Sequence, residues 1–177
     1  MKRLRASIVW LLLGGACGPQ VVDHSPEGNL LDFNTATLEA GLGHWVPWFS
    51  SELSRTAEAA RTGTRGLGIA VTAPFGWGVT IDNWPGFEAG PGLHRVSFWA
   101  RASTSSGLPL SLQVRWRSAE GTDLHVETLV TPPLRSAWVQ TAAALRAPEG
   151  TAHFNLELVG GEGVPGDRFE VDGVFVR

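Results

Sequence analysis

The sequence predicts an all-β fold, a two-sheet antiparallel sandwich of jelly-roll type over residues 29–177. Three observations carry this. Short segments alternate apolar and polar residues with period two, which is how a strand with one buried face is written. Gly (22) and Pro (11) punctuate those segments at turn-like spacings. No apolar stripe of helical period runs beyond a turn or two, so two packed sheets remain as the way to bury one face of every strand.

The segments follow in order. "LGIAVTA" (67–73) and "GVTIDNW" (78–84) are the first two clear strands. "RVSFWARA" sets Val96, Phe98 and Ala100 against Arg95, Ser97, Trp99 and Arg101, and "LSLQVRWR" sets Leu110, Leu112, Val114 and Trp116 against Ser111, Gln113, Arg115 and Arg117. "LHVETLV" alternates more weakly; "WVQTAAAL" follows. "HFNLELV" sets Phe154, Leu156 and Leu158 against His153, Asn155 and Glu157, and "RFEVDGVFV" closes the chain. "SSELSRTAEAARTG" (50–63) is the one stretch that could be read as helical, but its Ser, Thr and Gly content favours a loop with a short strand. There is no internal repeat.

Residues 1–16 have the build of a signal peptide: Lys2, Arg3 and Arg5, an apolar run Ile8 to Leu13, then small residues. That run is shorter than the ~20 residues a spanning helix needs. The sole cysteine, Cys17, follows Gly14, Gly15 and Ala16, and the stretch resembles the lipobox of bacterial lipoproteins, with Gly14 where that motif has Leu. The resemblance implies lipidation of Cys17, a membrane anchor through that lipid and, with Gly18 rather than Asp next, passage to the outer membrane. An ordinary signal peptide with an incidental cysteine is the alternative. Residues 17–28 then form the lipidated cysteine and a tether, leaving 29–177 as one domain without a disulfide.

Charge and motif content exclude several functions. The formal charge is −3, or −6 once the three basic leader residues are removed, and no basic cluster of the kind phosphate binding requires is present. No Gly-x-Ser-x-Gly elbow occurs. The carboxylates are scattered over turns and polar strand faces with no pair suggesting glycoside hydrolysis. His24, His44, His94, His125 and His153 lack zinc-ligand spacing and read as surface or loop residues. The sequence therefore predicts a protein that is not an enzyme.

Taken in order, "NLLDFNTATLEAGLGHW", "RTGTRGLGIAV", "GWGVTI", "EAGPGLHRVSFWARA", Trp138 with "APEGTAHFNLEL", and "FEVDGVFV" resemble the galactose-binding-like jelly roll of carbohydrate-binding modules of the xylan- and glucan-binding type. The resemblance covers nearly all of 29–177. It implies a structural calcium ion, Ca²⁺, held by the Glu39 carboxylate, the carbonyls of Gly63 and Arg65, and the Asp172 carboxylate, with a Gly at 173 where those modules carry a second Asp. Asp172 has a second reading, as a bulge residue satisfied by backbone amides. The resemblance also implies that Trp45 packs inward and that Trp138 is structural.

Parity sorts the other tryptophans. Trp77 goes with Val79 and Ile81, and Trp116 with Leu112 and Val114, so both belong to the core. Trp84 shares the face of Thr80 and Asp82, and Trp99 that of Ser97 and Arg101; Trp48 falls in a loop. If these polar faces belong to one sheet, Trp84, Trp99, Asp82, Arg101, Gln113, Arg115, Asn155 and Glu157 form a ligand-binding surface with Thr80, in which a ring packs on a sugar's C–H face while polar groups bond its hydroxyls. The expected function is a non-catalytic lipoprotein of the cell envelope that binds polysaccharide or glycan. The alternative is an envelope structural or protein-interaction lipoprotein that uses the sandwich without binding sugar.

Overall fold

The structure, a computed structural model, describes residues 28–104, 107–161 and 163–177. The leader, Cys17 and the tether up to residue 27 lie outside the described residues. In chain order the elements are α1 (Phe33–Thr37), β1 (Trp45–Phe49), β2 (Ser51–Thr56), β3 (Gly66–Val71), β4 (Trp77–Ile81), β5 (Phe87–Glu88), β6 (Gly92–Ala102), β7 (Ser111–Arg117), β8 (Asp123–Val130), β9 (Val139–Ala147), β10 (His153–Gly160) and β11 (Arg168–Val176).

The strands form two antiparallel sheets, as the alternation requires. One has the order β1-β4-β10-β7-β8, with β5 also pairing β10; the other has the order β2-β3-β11-β6-β9. Their inner faces close on Trp45, Trp77, Trp116, Phe98, Phe154 and Phe169, all buried. Trp77 stacks on Phe169 across the sheets at 4.7 Å between ring centroids. Two indoles carry their polar handle to a partner: Trp45 Nε1 donates to the Thr35 carbonyl at 2.9 Å, and Trp116 Nε1 to Glu127 Oε2 at 2.9 Å.

Alternation is silent about the start of the domain. α1 is one short helix whose N-terminus is capped by Asp32, Oδ1 accepting from the amides of Asn34 and Thr35, and whose end is Leu38 at φ 62°. Its five residues are too few to show a helical period. The chain start is tied to the chain end, because Leu30 N donates to Val176 O at 2.8 Å and Asn29 brackets the same strand through Val174 O and Val176 N. Among the described residues the buried apolar core runs from Leu31 to Val176.

Candidate functional site

The outer face of the β1-β4-β10-β7-β8 sheet carries most of the predicted surface. Registers place Val46, Thr80, Glu157, Gln113 and Thr128 in one row across five strands. Asn155, Arg115 and Val126 form the next row, and His153, Arg117 and Asp123 the one after. Over these rows lies a groove of about 290 Å³ whose walls include Trp48 and Trp84. Both rings are open to solvent, Trp48 at 54% and Trp84 at 71%.

Each ring is seated by its neighbours. Trp48, on the edge strand β1, meets Phe49 edge-to-face at 4.8 Å, and the missing side chain of Gly78 leaves room for both rings. Trp84 lies beyond the end of β4, joined to Pro85 by a cis peptide. Arg117 sets its guanidinium over the Trp84 ring at 4.9 Å, while Gly121, in the turn between β7 and β8, packs against the ring's edge. The two tryptophans therefore wall the same outer-face groove, Trp48 from the edge strand β1 and Trp84 from beyond the end of β4 toward the turn between β7 and β8.

Beneath the rings an ion-pair network stiffens the floor. Arg115 holds Glu157 at two points, Nε to Oε1 at 3.1 Å and Nη2 to Oε2 at 2.9 Å, and reaches Asp123 through Nη1 at 2.7 Å. Arg117 binds the other Asp123 oxygen at 2.8 Å and donates to the Pro85 carbonyl at 2.9 Å. The hydrogen bonds that Arg115 donates to Glu157, assisted by Asp123 and opposed by burial, raise its guanidinium above its ordinary value, so it stays charged. Burial pushes the Asp123 carboxyl up, but hydrogen bonds from the two arginines outweigh this and hold it below its ordinary value.

The predicted ligand residues thus divide by role. Asn155 is buried, donating to the Ile81 carbonyl at 3.1 Å and accepting from Leu156 N, while Glu157 is occupied by Arg115; both build the floor. Asp82, which lines the groove, and Gln113, beside Glu157 on β7, make no side-chain hydrogen bond among the described residues. Trp48 and Arg117 also line the groove, although neither is among the ligand residues expected from the sequence. Arg117 shares the face of Gln113 and Arg115, and that signal was available in the sequence.

Trp99 and Arg101 do not join this surface. They lie on β6, in the other sheet, and face the opposite side of the sandwich. Parity fixes which face of its own sheet a residue takes and says nothing about which sheet the strand enters. Trp99 is half-buried under the Arg61 guanidinium at 3.4 Å; Arg101 pairs with Glu170 at 2.9 Å and lies over Trp138 at 4.9 Å. Trp138 is half-buried at the start of β9. His94 is likewise no free surface residue, since it is half-buried with its ring 5.1 Å from that of Trp116.

The two carboxylates expected to hold calcium clasp opposite ends of the loop 61–65, and the donors they meet there do not fit the ion. Glu39 Oε1 accepts from Thr64 N at 2.9 Å and Arg65 N at 3.3 Å, and Oε2 from Thr64 Oγ1 at 2.6 Å. Asp172 Oδ2 accepts from Arg61 N, Thr62 N and Thr62 Oγ1, and Oδ1 from Gly173 N. A trans peptide points its N–H and C=O in opposite directions, so the Thr64 amide aimed at Glu39 turns the Gly63 carbonyl away from it. The Arg65 amide also donates to Glu39. Calcium needs converging oxygens, and here the loop offers positively polarised hydrogens to both carboxylates. Asp172 takes its second reading, a residue at the β-bulge of β11 satisfied by amides. Burial raises its pKa against the lowering effect of those bonds; Glu39 is lowered, the bonds from Thr64 and Arg65 and the charge of Arg55 outweighing burial.

No protein-family model matches the chain, and no curated protein matches it. Solved structures do. The CBM22-1–GH10 modules of the Clostridium thermocellum endo-1,4-beta-D-xylanase 10B, complexed with xylohexaose, superpose with a TM-score of 0.65 at 16% identity, over 80% of this chain and 27% of that one. A family 16 carbohydrate-binding module matches at TM-score 0.63 and 16% identity, over 84% of this chain and 99% of the module. A xylan-binding domain of family 22 matches at 0.63 and 14%, over 80% and 90%. The chain spans about a quarter of the xylanase and nearly the whole of each single module. These likenesses establish the two-sheet antiparallel sandwich that the alternation predicts.

Proposed function

We propose that this chain is a non-catalytic polysaccharide- or glycan-binding protein whose ligand lies in the groove of the β1-β4-β10-β7-β8 sheet. The observation that carries this reading is the pair of solvent-open rings, Trp48 and Trp84, flanking a rigid polar floor. A pyranose offers an apolar C–H face to an indole and hydroxyls to the free groups of Asp82, Gln113 and Thr80, and water can bridge the remainder. The structural neighbours named for xylan binding and carbohydrate binding share the architecture in which such a groove arises.

In this reading the leader at residues 1–16 exports the chain and Cys17 carries the lipid, so the domain works at the cell envelope, on the outer membrane. Leu124, Val126 and Val130, exposed along the edge strand β8, favour a second reading in which the same face docks an envelope protein. A binding screen across plant, algal and bacterial polysaccharides, run beside Trp48→Ala and Trp84→Ala, separates the two. Sugar binding that either change weakens while the fold persists supports the groove. No binding to any polymer moves the function to the β8 edge.

A further inference from the structure

We propose that Arg55 supplies the cation of the Glu39–Asp172 clasp, so that the loop 61–65 is locked to the two ends of the domain without a metal ion. Arg55 has the parity of Leu53, whose partner is the buried Ile69, so it stands at the end of β2 on the strand's inner side, where an arginine must find acceptors. It finds them in the backbone just after α1. One guanidinium nitrogen, Nη1, donates to the carbonyls of both Leu38 and Glu39. Those carbonyls follow a helix end with Leu38 in the left-handed conformation, which leaves them without a strand or helix partner of their own.

The clasp then has three parts that complete one another. Arg55 orients the segment that carries Glu39 through its two carbonyl bonds, and its positive charge favours the Glu39 carboxylate. Glu39 takes the amides of Thr64 and Arg65, and Asp172 takes those of Arg61 and Thr62, so four of the five amides in the loop end on two carboxylates. Gly63, at φ 66°, sits against Glu39 Oε1 where a Cβ would overlap the oxygen, which closes the space between carboxylate and loop. A cation beside either carboxylate would displace these hydrogens before it gained a ligand.

The test is thermal unfolding of the full chain in calcium and in chelator, with a calcium titration by calorimetry and the variants Arg55→Met and Arg55→Lys. The expected result is a wild-type melting temperature that is the same in both buffers and no calcium binding. Arg55→Met should melt roughly 4–8 °C lower, because two part-buried carbonyls lose a charged donor. Arg55→Lys, which keeps the charge on a shorter side chain that reaches the two carbonyls less well, should fall between. If Arg55→Met does not fold, the wild-type titration and the lysine variant still decide. One-to-one calcium binding that raises the wild-type melting temperature overturns the proposal, as does an Arg55→Met protein that melts like wild type.

Discussion

Gly121 is placed so that a Cβ on it would come within 2.5 Å of Trp84 Cζ2, which makes the turn between β7 and β8 the seat of the groove's most exposed ring. Gly121 also holds φ at +80°, a conformation that costs a side chain of its own. Gly121→Ala should therefore push the indole off its seat and strain the turn. The expected outcome is a melting temperature lower by about 2–4 °C, corresponding to roughly 1 kcal/mol, with glycan affinity reduced. Calorimetry and a binding isotherm on the same sample check both; unchanged affinity would mean that the position of Trp84 is irrelevant to the ligand.

The two faces of the sandwich give a second prediction. Trp84→Ala should weaken polysaccharide binding about tenfold, the loss of roughly 1–1.5 kcal/mol of ring stacking, and should leave the melting temperature nearly unchanged because the ring is 71% exposed. Trp99→Ala should leave binding unchanged, since Trp99 lies on the opposite sheet beneath Arg61. Affinity electrophoresis of the two variants side by side distinguishes them. Equal losses would mean that the ligand wraps the sandwich or that the groove is not its site.

The contrast between Trp84 and Trp99 also marks where sequence reading stops. Period two places Trp116, Phe98 and Phe154 inside and Gln113, Arg115 and Glu157 outside, because a strand has only two faces. The order β2-β3-β11-β6-β9 weaves together strands that are far apart in sequence, so nothing local tells β6 from β7 as members of different sheets. The clasp was legible as a place, since Glu39 and Asp172 each engage the loop 61–65, Glu39 through Thr64 and Arg65 and Asp172 through Arg61 and Thr62. Its chemistry was not, because peptide orientation decides whether a loop presents amides or carbonyls, and residue types leave that orientation open. Trp48 was hidden for another reason. It follows Pro47, which reads as a loop signal, whereas the structure makes this an edge strand in which Trp48 shares the outer face of Val46.

Arg115 and Glu157 make a third prediction, about stability. Glu157 is buried and accepts both of its hydrogen bonds from a guanidinium that is itself largely covered. Glu157→Ala should leave that charge with Asp123 alone and cost about 2–3 kcal/mol, below the full cost of breaking a buried pair because Arg115 keeps some access to water. Replacing both residues, Arg115→Met with Glu157→Met, should recover much of the loss. Denaturant titration of the single and double variants gives the coupling; additive losses would show that the pair is not the unit that stiffens the floor.

The clasp makes the pH dependence specific. Glu39 has its pKa lowered in the folded state, so its contribution is present above the unfolded carboxylate value of about 4.3 and is lost as pH falls through the folded value. Asp172 runs the other way. Burial raises its folded pKa, so the folded state holds its proton more tightly, and stability from this group falls as pH rises from the unfolded value of about 3.9 through the folded one. Glu39→Gln keeps an oxygen for the amides of Thr64 and Arg65 and can donate to Thr64 Oγ1, so the variant should fold, with a loss of about 1 kcal/mol at neutral pH. The gap between wild type and variant should close on acidification below about pH 4, where the wild-type carboxylate takes up its proton. Melting curves of both proteins from pH 3 to pH 7 measure this; a gap that stays constant to the acid end would show that the charge of Glu39 does not hold the loop.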